Sequence, residues 1–179
     1  MDGDVSVRDA RPSDRDAIEA VTLSAYQEYG IVLPAQWEGY KQNILATLAA
    51  PGPAEQIVAE ASRRLVGSVL LYPARSLLTQ PGGSSTALAW PEIRLLAVAP
   101  LARGQGVGAA LVLECLRRVR SAGATALTLH TTDVMRAAMR LYHRLGFRRA
   151  SELDFQPAPG IVAKGYRLDL AGTASHKPS

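Results

Sequence analysis

Cysteine occurs once, at Cys115, which excludes an internal disulfide and a cysteine-rich metal site. Histidine occurs three times, at His130, His143 and His176, and none of the intervals has metal-ligand spacing. Lysine is as scarce: Lys41, Lys164 and Lys177 are the only ones among 20 basic residues. Aromatic residues make up 6% of the chain, and no strand interleaves them with basic residues as a nucleic-acid stacking platform does. No apolar run approaches the roughly 18 residues of a membrane span, and Met1-Asp2-Gly3-Asp4 lacks the charged-then-apolar profile of a signal peptide. Together these absences predict a cytoplasmic protein with no metal, no nucleic-acid partner and no membrane partner. What is present is a chain of 179 residues, 47% hydrophobic and 20% charged, enough for one self-sufficient core. The net charge of +4 favours nucleic acid or an acidic small molecule equally, so charge alone does not choose.

Val5 to Ala10 alternates apolar and polar residues like a half-buried strand. A helix is predicted from Ser13, a good N-cap with Asp14 and Asp16 near the positive end, to a break at Gly30 and Pro34. A second helix spans 35–50 and stops at Pro51-Gly52-Pro53. Strands follow at 56–62 and 65–72, joined by a turn at Arg63 and Arg64. Residues 73–90 lose periodicity and read as a flexible loop of the kind that borders sites. Then come a strand at 92–98, a helix at 106–122, a strand at 124–131, a helix at 133–145 ended by Gly146, and strands at 147–153 and 162–168. This order predicts one mixed α/β domain over residues 1–170 and a disordered tail over 171–179.

Between the strand at 92–98 and the helix that follows, VAPLARGQGVGAAL sets Gly104, Gly106 and Gly108 at alternate positions. Bare backbone at a helix start, where unpaired N–H groups meet the positive dipole end, suits a phosphate. A Walker loop is excluded because Gly-Lys-Ser/Thr is absent. Residues 104–109 satisfy the dinucleotide fingerprint G-x-G-x-x-G/A literally. In that fold, however, the first glycine follows the strand at once, and here five residues, Ala99 to Arg103, intervene.

A third pattern covers more of the chain. Arg103-Gly104-Gln105-Gly106-Val107-Gly108, after Leu96-Ala97-Val98 and Pro100, resembles the acetyl-CoA loop Q/R-x-x-G-x-G/A of the GNAT superfamily of N-acetyltransferases. Ala138, Tyr142, Gly146 and Phe147 fall in register with the A-x-x-x-Y-x-x-x-G-F segment of that family's last helix. The resemblance follows element order along nearly the whole chain, and residues 92–149 carry its motifs. It implies an α/β fold with a single mixed sheet of about seven strands, about four flanking helices and a splayed central strand pair. It also implies acetyl-CoA as co-substrate. The amides of Gly104, Gln105, Gly106, Val107, Gly108 and Ala109 would hold the diphosphate, with charge from Arg103. Pantetheine would lie along the main chain of Leu96, Ala97 and Val98.

Direct acetyl transfer to an amine needs a base for the amine proton and an acid for the departing thiolate, and it needs no enzyme nucleophile. Cys115 shares a helical stripe with Leu111, Val112, Leu116 and Val119 and reads as a buried structural thiol. By resemblance, Tyr142 stands near the coenzyme sulfur and protonates it. Two residues compete as base. Glu92 matches the position of the glutamate in histone-acetylating members, and His130 stands where N-terminal acetyltransferases of ribosomal proteins carry a glutamate. Each also has a plain reading, Glu92 as a partner for Arg94 and His130 as a satisfied polar residue at a strand end. Family members often carry asparagine seven residues before the tyrosine; here Met135 stands there, so Asp133 or the backbone near Thr131 and Thr132 is expected to substitute. The acceptor is expected to be a primary amine of a small molecule, peptide or protein, near Tyr26, Tyr29, Trp37 and Tyr40, and a homodimer is compatible with the family. The alternative is a non-catalytic module of the same fold that senses acyl-CoA.

Overall fold

The computed structural model describes residues 5–79 and 85–170. The tail expected to be disordered, 171–179, lies outside them, as do residues 80–84 of the expected loop. The chain opens with β1 (Ser6–Asp9), a 3-10 turn (Pro12–Asp14), α1 (Arg15–Val32) and α2 (Pro34–Ala49). There follow β2 (Glu55–Ala61), β3 (Arg64–Tyr72), β4 (Leu77–Thr79), β5 (Ser85–Ala87) and β6 (Glu92–Val98). A second 3-10 turn (Pro100–Ala102) leads to α3 (Val107–Ser121), β7 (Ala126–Thr131), α4 (Arg136–Arg144) and β8 (Arg148–Arg149). The last elements are a 3-10 turn (Ser151–Leu153), β9 (Phe155–Ala158) and β10 (Ile161–Asp169).

Seven strands form one sheet in the order β1-β2-β3-β6-β7-β10-β8, with β9 added to β10. Every pairing in it is antiparallel except β6 with β7. One core lies on the α3 side, where Leu111, Val112, Cys115, Leu116 and Val119 pack on Ile57, Val69, Leu127 and Leu129. Cys115 is fully buried there, and burial pushes its thiol up to about 12, as befits the structural role expected of it. A second core joins Ala25 and Tyr26 of α1, Ile44 of α2 and Ala97 of β6 on the opposite face.

Four local expectations are revised. Ser13 lies inside the first 3-10 turn, and the group that closes that turn is Asp14, whose carboxylate accepts from the Arg11 N–H at 2.7 Å and pairs with Arg8. Gly30 does not break α1, which runs on to Val32. A Cβ at Gly30 would come 2.9 Å from Trp37 Cγ, so the missing side chain seats the Trp37 ring. The helix stops at Leu33, which leaves the helical region at φ −129° and ψ 59° because the proline that follows disfavours helical geometry there. The loop at 73–90 contains the two-stranded ribbon β4–β5. The strand expected at 147–153 shortens to β8, because the chain turns away at Ser151–Leu153 to pack over Gly165.

Candidate functional site

The sheet opens at the parallel seam between β6 and β7. These strands pair through Glu92↔Thr128 and Ile93↔Leu129, and among the described residues no pairing between them continues beyond. The cause lies in β6, where Leu95 takes φ 48° and the register against β3 slips between Leu70↔Arg94 and Ser68↔Ala97. The bulge bends the strand and adds one residue to the alternation. Arg94 and Ala97 consequently share the α1 face, whereas Leu96 and Val98 pack with the α3 core. Since the Ala99 N–H donates to Val66 O at 2.8 Å across β3, alternation turns the main-chain groups of Leu96 and Val98 toward the gap. The Leu96 carbonyl accepts from the Tyr26 hydroxyl at 3.2 Å.

The gap continues into a cleft of about 450 Å³ reaching the glycine loop. Gly104 (φ 78°) and Gly106 (φ 80°) hold left-handed conformations that side chains resist, and Gly106 is the N-cap of α3 with no side-chain cap. Val107, Gly108 and Ala109 therefore present first-turn N–H groups at the cleft wall. Arg103 lines the same wall, but its guanidinium donates to Glu28 Oε2 and to Ala25 O, each at 3.0 Å, strapping the loop to α1. Gln105 points elsewhere and donates to Leu101 O. Ala97 faces α1, and Asp133 pairs with Lys164 at 2.6 Å; neither lines the cleft.

At the inner end stands Tyr142, 5% exposed, its ring 5.8 Å from that of Phe147. Burial pushes its phenol above the ordinary tyrosine value, so it stays protonated at neutral pH. The two rival bases turn out to be neighbours: His130 Nδ1 lies 3.5 Å from Glu92 Oε2. That is an ion-pair distance without hydrogen-bond alignment, and Nδ1 is buried with no hydrogen-bond partner. The other ring nitrogen, Nε2, donates to Leu153 O at 2.8 Å, which fixes the tautomer of the neutral ring. Burial works to lower the His130 pKa, but the Glu92 carboxylate outweighs it and the net shift is upward. His130 lines the cleft, whereas Glu92, 3% exposed, sits behind it and also faces Arg94 Nε at 3.5 Å. The plain reading of Glu92 as an Arg94 partner is thus realised, whereas His130 is satisfied at Nε2 and left without a hydrogen bond at Nδ1.

The cleft also holds polar groups that sequence reasoning did not assign to it. Thr131, 3% exposed, lines it with a buried hydroxyl that has no hydrogen-bond partner. Arg140 and Arg144, one helical turn apart on α4, line it without an ion pair among the described residues. The i, i+4 spacing of these arginines was visible in the sequence; the orphaned hydroxyl was not. Among the described residues no group of His, Cys, Asp or Glu could hold a metal ion, and no helix is long and apolar enough to cross a membrane.

The acetyltransferase (GNAT) family model matches residues 19–147. The chain belongs to that family. A mycothiol acetyltransferase from Parafrankia sp. is 30% identical over 157 residues, which cover 82% of this chain and 48% of the relative. An L-2,4-diaminobutyric acid acetyltransferase from Nocardia farcinica is 32% identical over 105 residues, 59% of this chain and 49% of that one. The chain spans about half the length of these two relatives. A GNAT acetyltransferase from Brucella melitensis, solved in complex with acetyl-CoA, shares the fold at TM-score 0.62 and 24% identity, covering 95% of this chain and 90% of its own. PaiA N-acetyltransferase from Thermoplasma acidophilum, solved with coenzyme A, does so at TM-score 0.64 and 13% identity, covering 93% and 99%. Within this GNAT chain Met135 lines the cleft at the point where α4 begins, so the position expected for an amide is occupied by a thioether.

Proposed function

We propose that this chain is an acetyl-CoA-dependent N-acetyltransferase that passes the acetyl group directly to a primary amine of a small molecule, peptide or protein. The observation that carries the reading is one continuous cleft with uncapped helix amides at one end and the Tyr142 and His130 side chains at the other. The cleft fits the co-substrate on three counts. The first-turn N–H groups of α3 suit a diphosphate, and Arg140 and Arg144 add unpaired positive charge beside it. The unpaired edge of β6 at Val98 suits the pantetheine amides. The orphaned Thr131 hydroxyl offers the hydrogen bond that Met135 cannot.

The chemistry asked of the side chains is small. The amine nitrogen bonds to the acetyl carbon, the carbon–sulfur bond breaks, one proton leaves nitrogen for the Glu92–His130 pair, and the Tyr142 hydroxyl supplies one to sulfur. No acyl-enzyme is needed, in keeping with the burial of Cys115. Native mass spectrometry with CoA, followed by thiol release against an amine panel, tests the reading. Thiol release that depends on an added amine supports it. Coenzyme binding without release against any amine points to an acyl-CoA sensor, and absence of binding removes both.

Two substitutions probe the cleft. Thr131→Val keeps the shape and removes the unpaired hydroxyl. The free protein should melt about 2–4 °C higher, and CoA affinity should fall about tenfold, as measured by thermal unfolding and calorimetry. Tyr142→Phe should lower kcat about 10- to 100-fold with the KM for acetyl-CoA little changed. The effect stays at the low end of acid catalysis because a thiol with a pKa near 8.5 leaves readily.

A further inference from the structure

Resting on the acetyltransferase reading, we propose that the acceptor is an amino acid type of molecule, with a carboxylate held by Arg94 and its amine directed at Glu92 and His130. Arg94 follows Glu92 by two residues on β6 and lines the cleft with its side chain 33% exposed. The bulge at Leu95 puts it on the α1 face with Ala97, beside Tyr26 and Tyr40, the side of the seam opposite the α3 core. A guanidinium carries five N–H donors, and those of Arg94 make no hydrogen bond among the described residues. Its nearest charged partner is Glu92 at 3.5 Å, and the Tyr72 ring centroid lies 5.9 Å away.

A fixed cation beside the proton acceptor is a liability for an enzyme whose acceptor is a plain ammonium ion, because like charges meet where the amine must dock. The liability becomes a recognition device if the acceptor brings its own negative charge. The fork of Arg94 can take a carboxylate through two parallel hydrogen bonds, while the carboxylate of Glu92, set behind His130, attracts the ammonium end. Glu92 and Arg94 then form a plus-minus pair that reads a zwitterion in one orientation only. Arg103, which lines the same cleft, has its guanidinium hydrogen-bonded to Glu28 and to Ala25 O, whereas Arg94 faces Glu92 at 3.5 Å without a hydrogen bond among the described residues and keeps its donors for a ligand.

The test compares ω-amino acids, from β-alanine to 6-aminohexanoate, with the n-alkylamines of the same chain lengths, in thiol-release assays on the wild type, Arg94→Gln and Arg94→Lys. Calorimetry with CoA on each protein runs alongside. The proposal expects at least one amino acid to exceed its alkylamine in kcat/KM by about tenfold or more in the wild type. That preference should collapse to about onefold in Arg94→Gln, survive in part in Arg94→Lys, and leave CoA affinity unchanged throughout. It is overturned if the wild type uses alkylamines as well as amino acids. It is equally overturned if Arg94→Gln lowers both series alike, the mark of a mere counterion to Glu92, or if CoA binds and no amino acid is acetylated. Failure to bind CoA at all would instead remove the parent reading, so the two failures are told apart.

Discussion

His130→Gln should lower kcat/KM about 10²- to 10⁴-fold at neutral pH, the range lost when a general base is removed. Glutamine keeps a donor for Leu153 O and fills similar space, so the loss should appear without a matching fall in melting temperature. The pH profile divides the work of the pair. The carboxylate of Glu92 favours the imidazolium, and the net shift of His130 is upward, so the active neutral ring is lost as pH falls through a value above the ordinary 6.5. In Glu92→Gln that attraction is gone while the burial and the charge of Arg94 remain, and both lower the His130 pKa. The acid limb of kcat/KM should therefore move to lower pH. If His130→Gln retained activity within threefold of the wild type from pH 6 to 9, the pair would not be the proton acceptor.

Gly165→Ala should be the most damaging single methyl in the described residues. The register places Gly165 opposite His130, and a Cβ there would overlap Leu153 Cβ and come 2.8 Å from Ala150 O. Because one obstacle is backbone, the site cannot relax by a rotamer change, and the overpacking should cost about 3 kcal/mol, the upper part of the usual range. For a domain of this size that is a fall of about 6–12 °C in melting temperature. The same methyl pushes on Leu153, whose carbonyl holds His130 Nε2, so kcat should fall further than the loss of folded protein explains. A variant that melts within 2 °C of the wild type would show that the 3-10 turn at Ser151–Leu153 yields freely.

What could be read beforehand was what local sequence carries. The glycines at 104, 106 and 108, and Tyr142 with Gly146 and Phe147, form patterns a few residues long. The strand at 92–98 has the observed bounds because its apolar run ends at Pro100. The residues proposed to carry the chemistry depend on non-local geometry. Glu92 and His130 read as rivals because 38 residues separate them; only the parallel pairing of β6 with β7 makes them one unit. The bulge gave no signal, since a positive φ was carried by a leucine and not by the glycine that usually announces one. With it hidden, the face shown by Arg94 could not be assigned. Arg103 read as a phosphate ligand or a free surface residue, and its actual bonds to Glu28 and Ala25 cross from α1, far away in the sequence. Gly30 reads as a helix breaker in the sequence because the ring it accommodates, Trp37, arrives only when α2 folds back.

The seclusion of Cys115 has a practical corollary for anyone following the coenzyme with a sulfhydryl dye. A thiol with no solvent contact, held protonated far above working pH, will not react with the dye while the native state persists, so every equivalent of colour comes from released CoA. Slow extra signal amounting to one equivalent per chain would then report global opening, which makes this single thiol a built-in clock for the lifetime of the native protein.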